Sequence, residues 1–132
     1  MPPLSVLTRY LQEVEAALEQ AQGVVIDAYV EELLTPARAN LRIRLRFDNG
    51  RLLEINEALV VEQGALRHLD YRYHCQDCDN RLVFRYDSTP HFPDLPGFPF
   101  HKHLPDDTLP AEHPTIAAVL AEAAETTDDV RC

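Results

Sequence analysis

The chain has 132 residues, of which 45% are hydrophobic and 26% charged, and its formal net charge is −10 at pH 7. This length predicts a single domain, residues 1–132, large enough to bury a core. No apolar run approaches a membrane span and the start does not resemble a signal peptide, so we expect a cytoplasmic protein.

The acidic residues are concentrated at the two ends. Residues 1–37 carry one arginine against six acids, and residues 104–132 carry one arginine against seven. Residues 38–103 carry ten basic side chains against nine acids. The overall charge argues against indiscriminate nucleic-acid binding, but the middle of the chain permits a local phosphate site.

An amphipathic helix is predicted at the N-terminus, where apolar residues recur every three or four positions from Leu4 to Ala21. Gly23 is a natural stop. The stripe suits one helix packed on a sheet, although its heptad spacing leaves a helix dimer open. Residues 23–34 are rich in Val and Ile and favour a strand ending at Pro36, while Glu31 to Leu34 equally fit a helix.

Residues 41–47 form the clearest predicted strand, with apolar and arginine side chains in strict alternation. We predict that a three-residue loop with Gly50 left-handed follows, because it pairs Leu45 with Leu53 and Arg44 with Glu54. Two further strands are predicted at 52–61 and 66–76.

A hairpin is predicted to join residues 71–76 to residues 82–87. A two-residue turn at Asp79-Asn80 keeps the apolar side chains on one face, as does a four-residue loop, and odd loops are discounted. The two-residue turn gives four cross-strand pairs: Cys75 with Phe84, Tyr73 with Tyr86, His74 with Arg85, and Arg72 with Asp87.

The three cysteines are not expected to hold a metal. Cys75 and Cys78 form a single C-x-x-C pair with no second pair to complete a zinc ribbon. Cys75 falls on the apolar face of its strand, where a buried free thiol is common. No role is expected for Cys132.

Residues 89–114 contain seven of the ten prolines, which predicts a long ordered loop that is neither helix nor sheet. Phe92, Phe98 and Phe100 are its expected anchors. Pro114 is expected in the first turn of a last helix with Ile116, Val119, Leu120 and Ala123 on its apolar face.

These elements predict an α+β fold, an antiparallel meander of about five strands with an N-terminal and a C-terminal helix on one face. The other face is then polar. Its predicted residues are Arg42, Arg44, Arg46, Arg72, His74, Arg85 and Asp87.

Three motifs carry a resemblance to a known family. They are Y-x-YH-x-QD at 71–77, FRYD-x-x-PH at 84–91 and FP-x-HKH at 98–103. Together they resemble the toxins of TumE-type toxin–antitoxin pairs. The family often reads PHH and PHHKH, whereas this chain has Phe92 and Phe100 at those places. The resemblance implies a growth-inhibiting toxin held by a helix-turn-helix antitoxin, with RNA as the usual target of such toxins.

Our first hypothesis is a metal-independent endoribonuclease that needs no cofactor. Cleavage through the 2′-hydroxyl requires a base, an acid and cations for the developing charge. The candidate base is His74 or His91, and the candidate acid is His101 or His103. Charge stabilisation is assigned to Arg85 and Lys102, orientation of a histidine or Arg72 to Asp87, base stacking to Phe98 or Phe100, and RNA contacts to Arg42, Arg44, Arg46 and Arg72.

Two other hypotheses remain open, as does the oligomeric state. The first is a binding protein that blocks a cellular target without chemistry, since a proline-rich aromatic loop makes a good interaction surface. The second is a metal site. In an extended segment His101 and His103 project to one side and Lys102 to the other, so a metal held with His91 or Asp87 is possible.

Overall fold

The computed structural model describes residues 5–88 and 100–125. Within these ranges the strands form one antiparallel sheet in chain order. This confirms the α+β meander, but the sheet has seven strands where about five were predicted. The elements are α1 (Val6–Gln20), β1 (Val24–Thr35), β2 (Arg38–Phe47), β3 (Leu52–Glu62), β4 (Ala65–Gln76), β5 (Leu82–Asp87), β6 (His101–Leu104), β7 (Asp107–Pro110) and α2 (Ile116–Ala123).

Both helices pack on one face of the sheet and share one hydrophobic core with it. The side chain of Ser5 caps α1 by accepting a hydrogen bond from the Thr8 amide. Thr115 caps α2 in the same way, so Pro114 precedes the helix and the prediction that it lies in the first turn was wrong. The apolar stripe of α1 is buried within its own chain, as expected for a single helix packed on a sheet. The buried helical residues are Leu7, Leu11, Val14, Leu18, Ile116, Val119, Leu120 and Ala123.

The hairpin between β2 and β3 has the predicted register. Gly50 has φ +87°, and the Phe47 amide donates to the Arg51 carbonyl across a three-residue loop. Arg44 pairs with Glu54 as expected, and Leu45 with Leu53. The strand predicted at residues 23–34 is also confirmed, since β1 pairs along β2 through the segment that equally fitted a helix.

The hairpin between β4 and β5 has the predicted cross-strand pairs but a different turn. The Asp77 amide donates to the Arg81 carbonyl, so the loop has three residues, and Asn80 takes the left-handed conformation at φ +63°. A register shift between the pairs Cys75–Phe84 and Gln76–Leu82 leaves Val83 as an extra residue. The predicted two-residue turn was therefore wrong, because this extra residue compensates for the odd loop.

The end of the proline-rich segment is regular, contrary to prediction. His101–Leu104 pairs with β5 on one side and with Asp107–Pro110 on the other. Pro105 lies in the turn, and Pro110 ends the outermost strand, where a missing amide hydrogen is tolerated. The predictions made for His91, Phe92, Phe98 and Cys132 concern residues outside the described ranges.

The opposite sheet edge, β1, is long and apolar. Five of its large hydrophobic side chains are exposed, namely Val25, Ile26, Val30, Leu33 and Leu34. In the part of the chain that the structure describes, neither helix has the length and apolar character needed to cross a membrane.

Candidate active site

Two rows of polar side chains cross the sheet on the face away from the helices. Paired residues of antiparallel strands point to the same face, so each row follows from the register. The first row is Arg44, Glu54, His74, Arg85, His103 and Thr108. The second is Arg42, Asn56, Arg72, Asp87 and His101.

The carboxylate–histidine cluster, defined as Asp87, His101 and His103, is the centre of this face. Asp87 Oδ1 lies 2.6 Å from His101 Nε2, and Asp87 Oδ2 lies 3.4 Å from His103 Nε2. The side chains of Asp87 and His101 are only 2% and 1% exposed, whereas His103 is 14% exposed. The two imidazole rings meet edge to face with their centroids 4.7 Å apart.

A buried carboxylate needs charged or hydrogen-bonding partners, and the cluster supplies them to Asp87. Besides the two imidazoles, Arg85 Nε lies 4.0 Å from Asp87 Oδ2. A carboxylate that fixes an imidazole orients the ring for proton transfer, as in catalytic triads. The partly exposed His103 is the member of the cluster that a substrate can reach.

His74 lies on the same face beside Arg85, as predicted. Burial lowers the pKa of His74, and the nearby guanidinium groups of Arg85 and Arg72 lower it further. Burial is the largest of these causes. His74 Nε2 lies 3.1 Å from Gln76 Oε1.

Lys102 is separated from the other predicted site residues by the alternation of β6. It projects to the helix side, where its Nζ lies 2.6 Å from Glu122 Oε2 on α2 and 4.9 Å from the centre of the Tyr86 ring. The Tyr86 hydroxyl donates to the other oxygen of Glu122. Lys102 therefore links β6 to α2 and does not contact the carboxylate–histidine cluster.

The predicted RNA-contacting arginines lie on the polar face and are exposed. Arg44 Nη1 is 3.8 Å from Glu54 Oε1, and Arg46 Nε is 2.5 Å from Asp27 Oδ2. Among the described residues, Arg42 and Arg72 have no ion-pair partner. Both belong to the second polar row, Arg42 at its end and Arg72 next to Asp87.

Phe100 is separated from the cluster. Its ring stacks on Tyr71, with centroids 6.2 Å apart, and Tyr71 belongs to the hydrophobic core. Phe100 is 42% exposed, and its contact with Tyr71 places it on the helix side of the sheet. The predicted site residues His91 and Phe98 fall in the gap between the described ranges.

Two groups of side chains in the described ranges bring three metal-ligand atoms within 4.8 Å of one another. One is the carboxylate–histidine cluster, which our metal hypothesis had anticipated through Asp87. The other, Glu57, His68 and His113, was missed. Its only signal in the sequence is Glu57, which occupies an inward position between Ile55 and Leu59 of β3.

Cys75 is a buried free thiol on the apolar face, as predicted. Burial raises its pKa to about 12, so it is a poor nucleophile and a poor metal ligand at neutral pH. It packs in the core with Tyr73 and Phe84.

A comparison with protein families gives one finding for this chain. The family model described as toxin TumE matches residues 14–130, a range that includes all seven strands, α2 and both polar rows. No curated protein and no solved structure matches the chain.

Proposed function

Because the chain belongs to the TumE toxin family, we propose that it is an endoribonuclease that cleaves RNA without a metal ion. The observation that carries the proposal is the carboxylate–histidine cluster beside Arg85 on the arginine-bearing face of the sheet. It combines an oriented imidazole, a fixed cation and partial exposure.

Arg85 is the charge-stabilising residue of the proposed mechanism. It is the cross-strand neighbour of His74 on one side and of His103 on the other. Directly opposed residues have Cβ atoms about 5 Å apart, so a phosphate bound at Arg85 has one imidazole on each side. The guanidinium then offsets the charge that develops on the phosphorane oxygens.

The two imidazoles divide the acid–base work. His74 is the base for the 2′-hydroxyl proton: its lowered pKa keeps the ring neutral at physiological pH, and the 2′-hydroxyl takes the place of Gln76 Oε1 at Nε2. His103 is the acid for the leaving 5′-oxygen, and its Nε2 lies 3.4 Å from the carboxylate of Asp87. Asp87 and the buried His101 position His103. Arg42 and Arg72 hold the flanking phosphates.

The proposal is tested with purified toxin and end-labelled RNA in the presence of a chelator. We expect cleavage products ending in a 2′,3′-cyclic phosphate. His103→Gln and Arg85→Gln are expected to reduce the rate by about 10²–10⁴-fold, whereas the matched variant Lys102→Gln retains it. Undiminished toxicity without cleavage of any RNA would favour a toxin that acts by binding alone.

A metal-dependent nuclease at the same place is the second candidate. Its support is the convergence of ligand atoms from Asp87, His101 and His103 within 4.8 Å. The same assay separates the two candidates, because a metal-dependent enzyme loses activity in the chelator and regains it when Mn²⁺ or Zn²⁺ is added.

A TumE toxin has a cognate antitoxin. We propose that the antitoxin is a helix-turn-helix protein encoded beside the toxin gene. Co-expression of that neighbour is expected to restore growth, and its product is expected to copurify with the toxin. An inert neighbour contradicts this assignment of the partner and leaves the proposed chemistry unaffected.

A further inference from the structure

A second group of ionisable side chains is buried on the helix side of the sheet. Glu57, whose side chain is 0% exposed, lies on β3, and its Oε2 is 3.0 Å from His68 Nε2 on β4. The Tyr10 hydroxyl from α1 donates to Glu57 Oε1 at 2.6 Å, and the Tyr73 hydroxyl from β4 donates to Oε2. A carboxylate enclosed in this way is costly to bury and calls for an explanation beyond packing.

The fifth member of the group is His113, which comes from the segment that leads into α2. Its Nε2 lies 2.7 Å from the Tyr73 hydroxyl. The ring stacks on Tyr71 at a centroid distance of 3.8 Å and an angle of 4°, and it meets the His68 ring edge to face at 4.4 Å. Stacking fixes the plane of His113, so its Nε2 points towards the same space as the ligand atoms of Glu57 and His68.

We propose that Glu57, His68 and His113 form a binding site for one divalent transition-metal ion of the Zn²⁺ type. Two imidazoles and one carboxylate are a ligand set that zinc uses in proteins. The buried Tyr73 hydroxyl lies next to these ligand atoms, 2.7 Å from His113 Nε2.

The distances between the three ligand atoms suit a metal ion that replaces the hydrogen-bonded protons between them. The three ligand atoms lie within 4.8 Å of one another, and His68 and Glu57 are at hydrogen-bonding distance. Metal–ligand bonds of about 2.1 Å place tetrahedral ligands about 3.4 Å apart. An ion therefore requires movements of about an ångström.

The charges of the group also suit a cation. The carboxylate of Glu57 offers a negative charge to the ion, and the two imidazoles are metal ligands in their neutral form. Burial opposes ionisation of Glu57, but its hydrogen bonds to His68, Tyr10 and Tyr73 outweigh burial and lower its pKa. Tyr10 engages Oε1, while Oε2 faces His68 Nε2 and the Tyr73 hydroxyl, so the carboxylate is oriented by its neighbours as is common around metal ligands. The His68 side chain, 17% exposed, provides access for the ion.

The site would join three parts of the fold. Glu57 and His68 belong to adjacent strands, whereas His113 belongs to the segment that precedes α2. An ion bound to all three is expected to fasten α2 to the sheet and to raise the unfolding temperature with increasing ion concentration.

The test uses the full chain carrying Asp87→Asn and His103→Gln, which removes the carboxylate–histidine cluster as a competing site. Chelator-treated protein is titrated with Zn²⁺ by calorimetry and with Co²⁺ by visible absorption. We expect one equivalent of Zn²⁺ and a tetrahedral Co²⁺ spectrum. His68→Gln and His113→Gln, added singly, are expected to weaken binding by at least about 10-fold, whereas His74→Gln leaves it unchanged.

A second measurement covers the case in which a variant fails to fold. NMR spectra of the imidazole nitrogens are recorded with and without Zn²⁺ on the Asp87→Asn/His103→Gln protein, here called the parent chain. They identify the histidines that bind the ion without any substitution at the proposed site. Shifts confined to His68 and His113 are expected. Absence of binding in the parent chain, undiminished binding in both variants, or shifts at other histidines would overturn the proposal. None of these outcomes depends on RNA cleavage.

Discussion

Asp87 and His101 are paired across β5 and β6, and the 2.6 Å contact between Oδ1 and Nε2 is almost completely excluded from solvent. A hydrogen bond to a charged group is strongest where water cannot compete for it. This contact fixes the imidazole plane of His101 against the sheet. The adjacent His103 ring packs against that plane.

Removing the charge of Asp87 should therefore inactivate the toxin, although a side chain of the same size remains at this position. Asp87→Asn keeps the shape of the side chain but offers an uncharged partner to both imidazoles. We expect RNA cleavage to fall by about 10²–10⁴-fold, measured at matched protein concentration. Asp79→Asn, in the exposed hairpin turn, is the matched control and is expected to behave as the wild type. Full activity of Asp87→Asn would remove this carboxylate from the mechanism.

Asp87 and His101 are expected to act as a unit. The double variant Asp87→Asn/His101→Gln should cleave RNA at nearly the same reduced rate as Asp87→Asn alone, because the second change removes a partner already disabled. Kinetic constants of both single variants and the double variant check this. Fully multiplicative losses would indicate two independent roles.

Lys102 is expected to matter for stability and not for chemistry. Lys102→Met keeps the aliphatic stem over Tyr86 but loses the ion pair with Glu122, which we expect to cost about 1–2 kcal/mol of unfolding free energy. Urea unfolding measures the loss, and the cleavage rate per folded molecule should be unchanged. A large fall in the cleavage rate, with the fold intact, would show that Lys102 takes part in catalysis.

The two left-handed turn residues should respond differently to substitution. Gly50→Ala places a Cβ at φ +87° and is expected to cost about 1–2 kcal/mol. Asn80→Gly meets the same backbone requirement and should change stability by less than about 1 kcal/mol, although a hydrogen bond from Gln76 is lost. Urea unfolding of both variants provides the comparison. Equal losses would show that the left-handed conformation is not the cause.

His74 should titrate below the ordinary histidine range. Burial and then Arg85 and Arg72 lower its pKa, so between that value and about 6.5 the unfolded chain binds a proton that the folded chain does not. The contribution of His74 to stability is therefore present above pH 6.5 and is lost as the pH falls.

Replacing Arg85 tests the electrostatic part of this shift. Arg85→Gln is expected to raise the pKa of His74 towards 6.5, because a cation that disfavours imidazolium has been removed. NMR titration of the His74 imidazole measures the change, and Arg81→Gln in the exposed turn serves as the control. An unchanged His74 titration in Arg85→Gln would mean that burial alone sets its pKa.

The registers of both central hairpins were predictable because they depend on local information. Gly50 and the alternation of arginines with apolar residues in β2 allow only one register of β2 and β3 in which the apolar side chains of both strands share one face of the hairpin. The loop after Asp77 was mispredicted because the extra residue Val83 compensates for its odd length, and alternation in sequence does not reveal such a compensation.

The candidate sites were predictable only in part. Alternation within β6 places His101 and His103 on one side and Lys102 on the other, but the surrounding prolines concealed that this segment is a strand. Pro105 and Pro110 fall where a strand tolerates them. The second metal-ligand group could not be assembled from spacing, since His68 and His113 lie 45 positions apart in the sequence and meet only through packing.

The sheet is built in the order in which the chain is synthesised, and this has a consequence for the cell that makes the toxin. Asp87 leaves the ribosome well before His101 and His103, and Glu122, which fastens β6 to α2, follows later still. A polypeptide released between Asp87 and His101 carries the carboxylate without either imidazole, and a shorter one lacks all three groups. Prematurely terminated products are therefore expected to be harmless, so that synthesis of nearly the whole chain precedes the first active molecule.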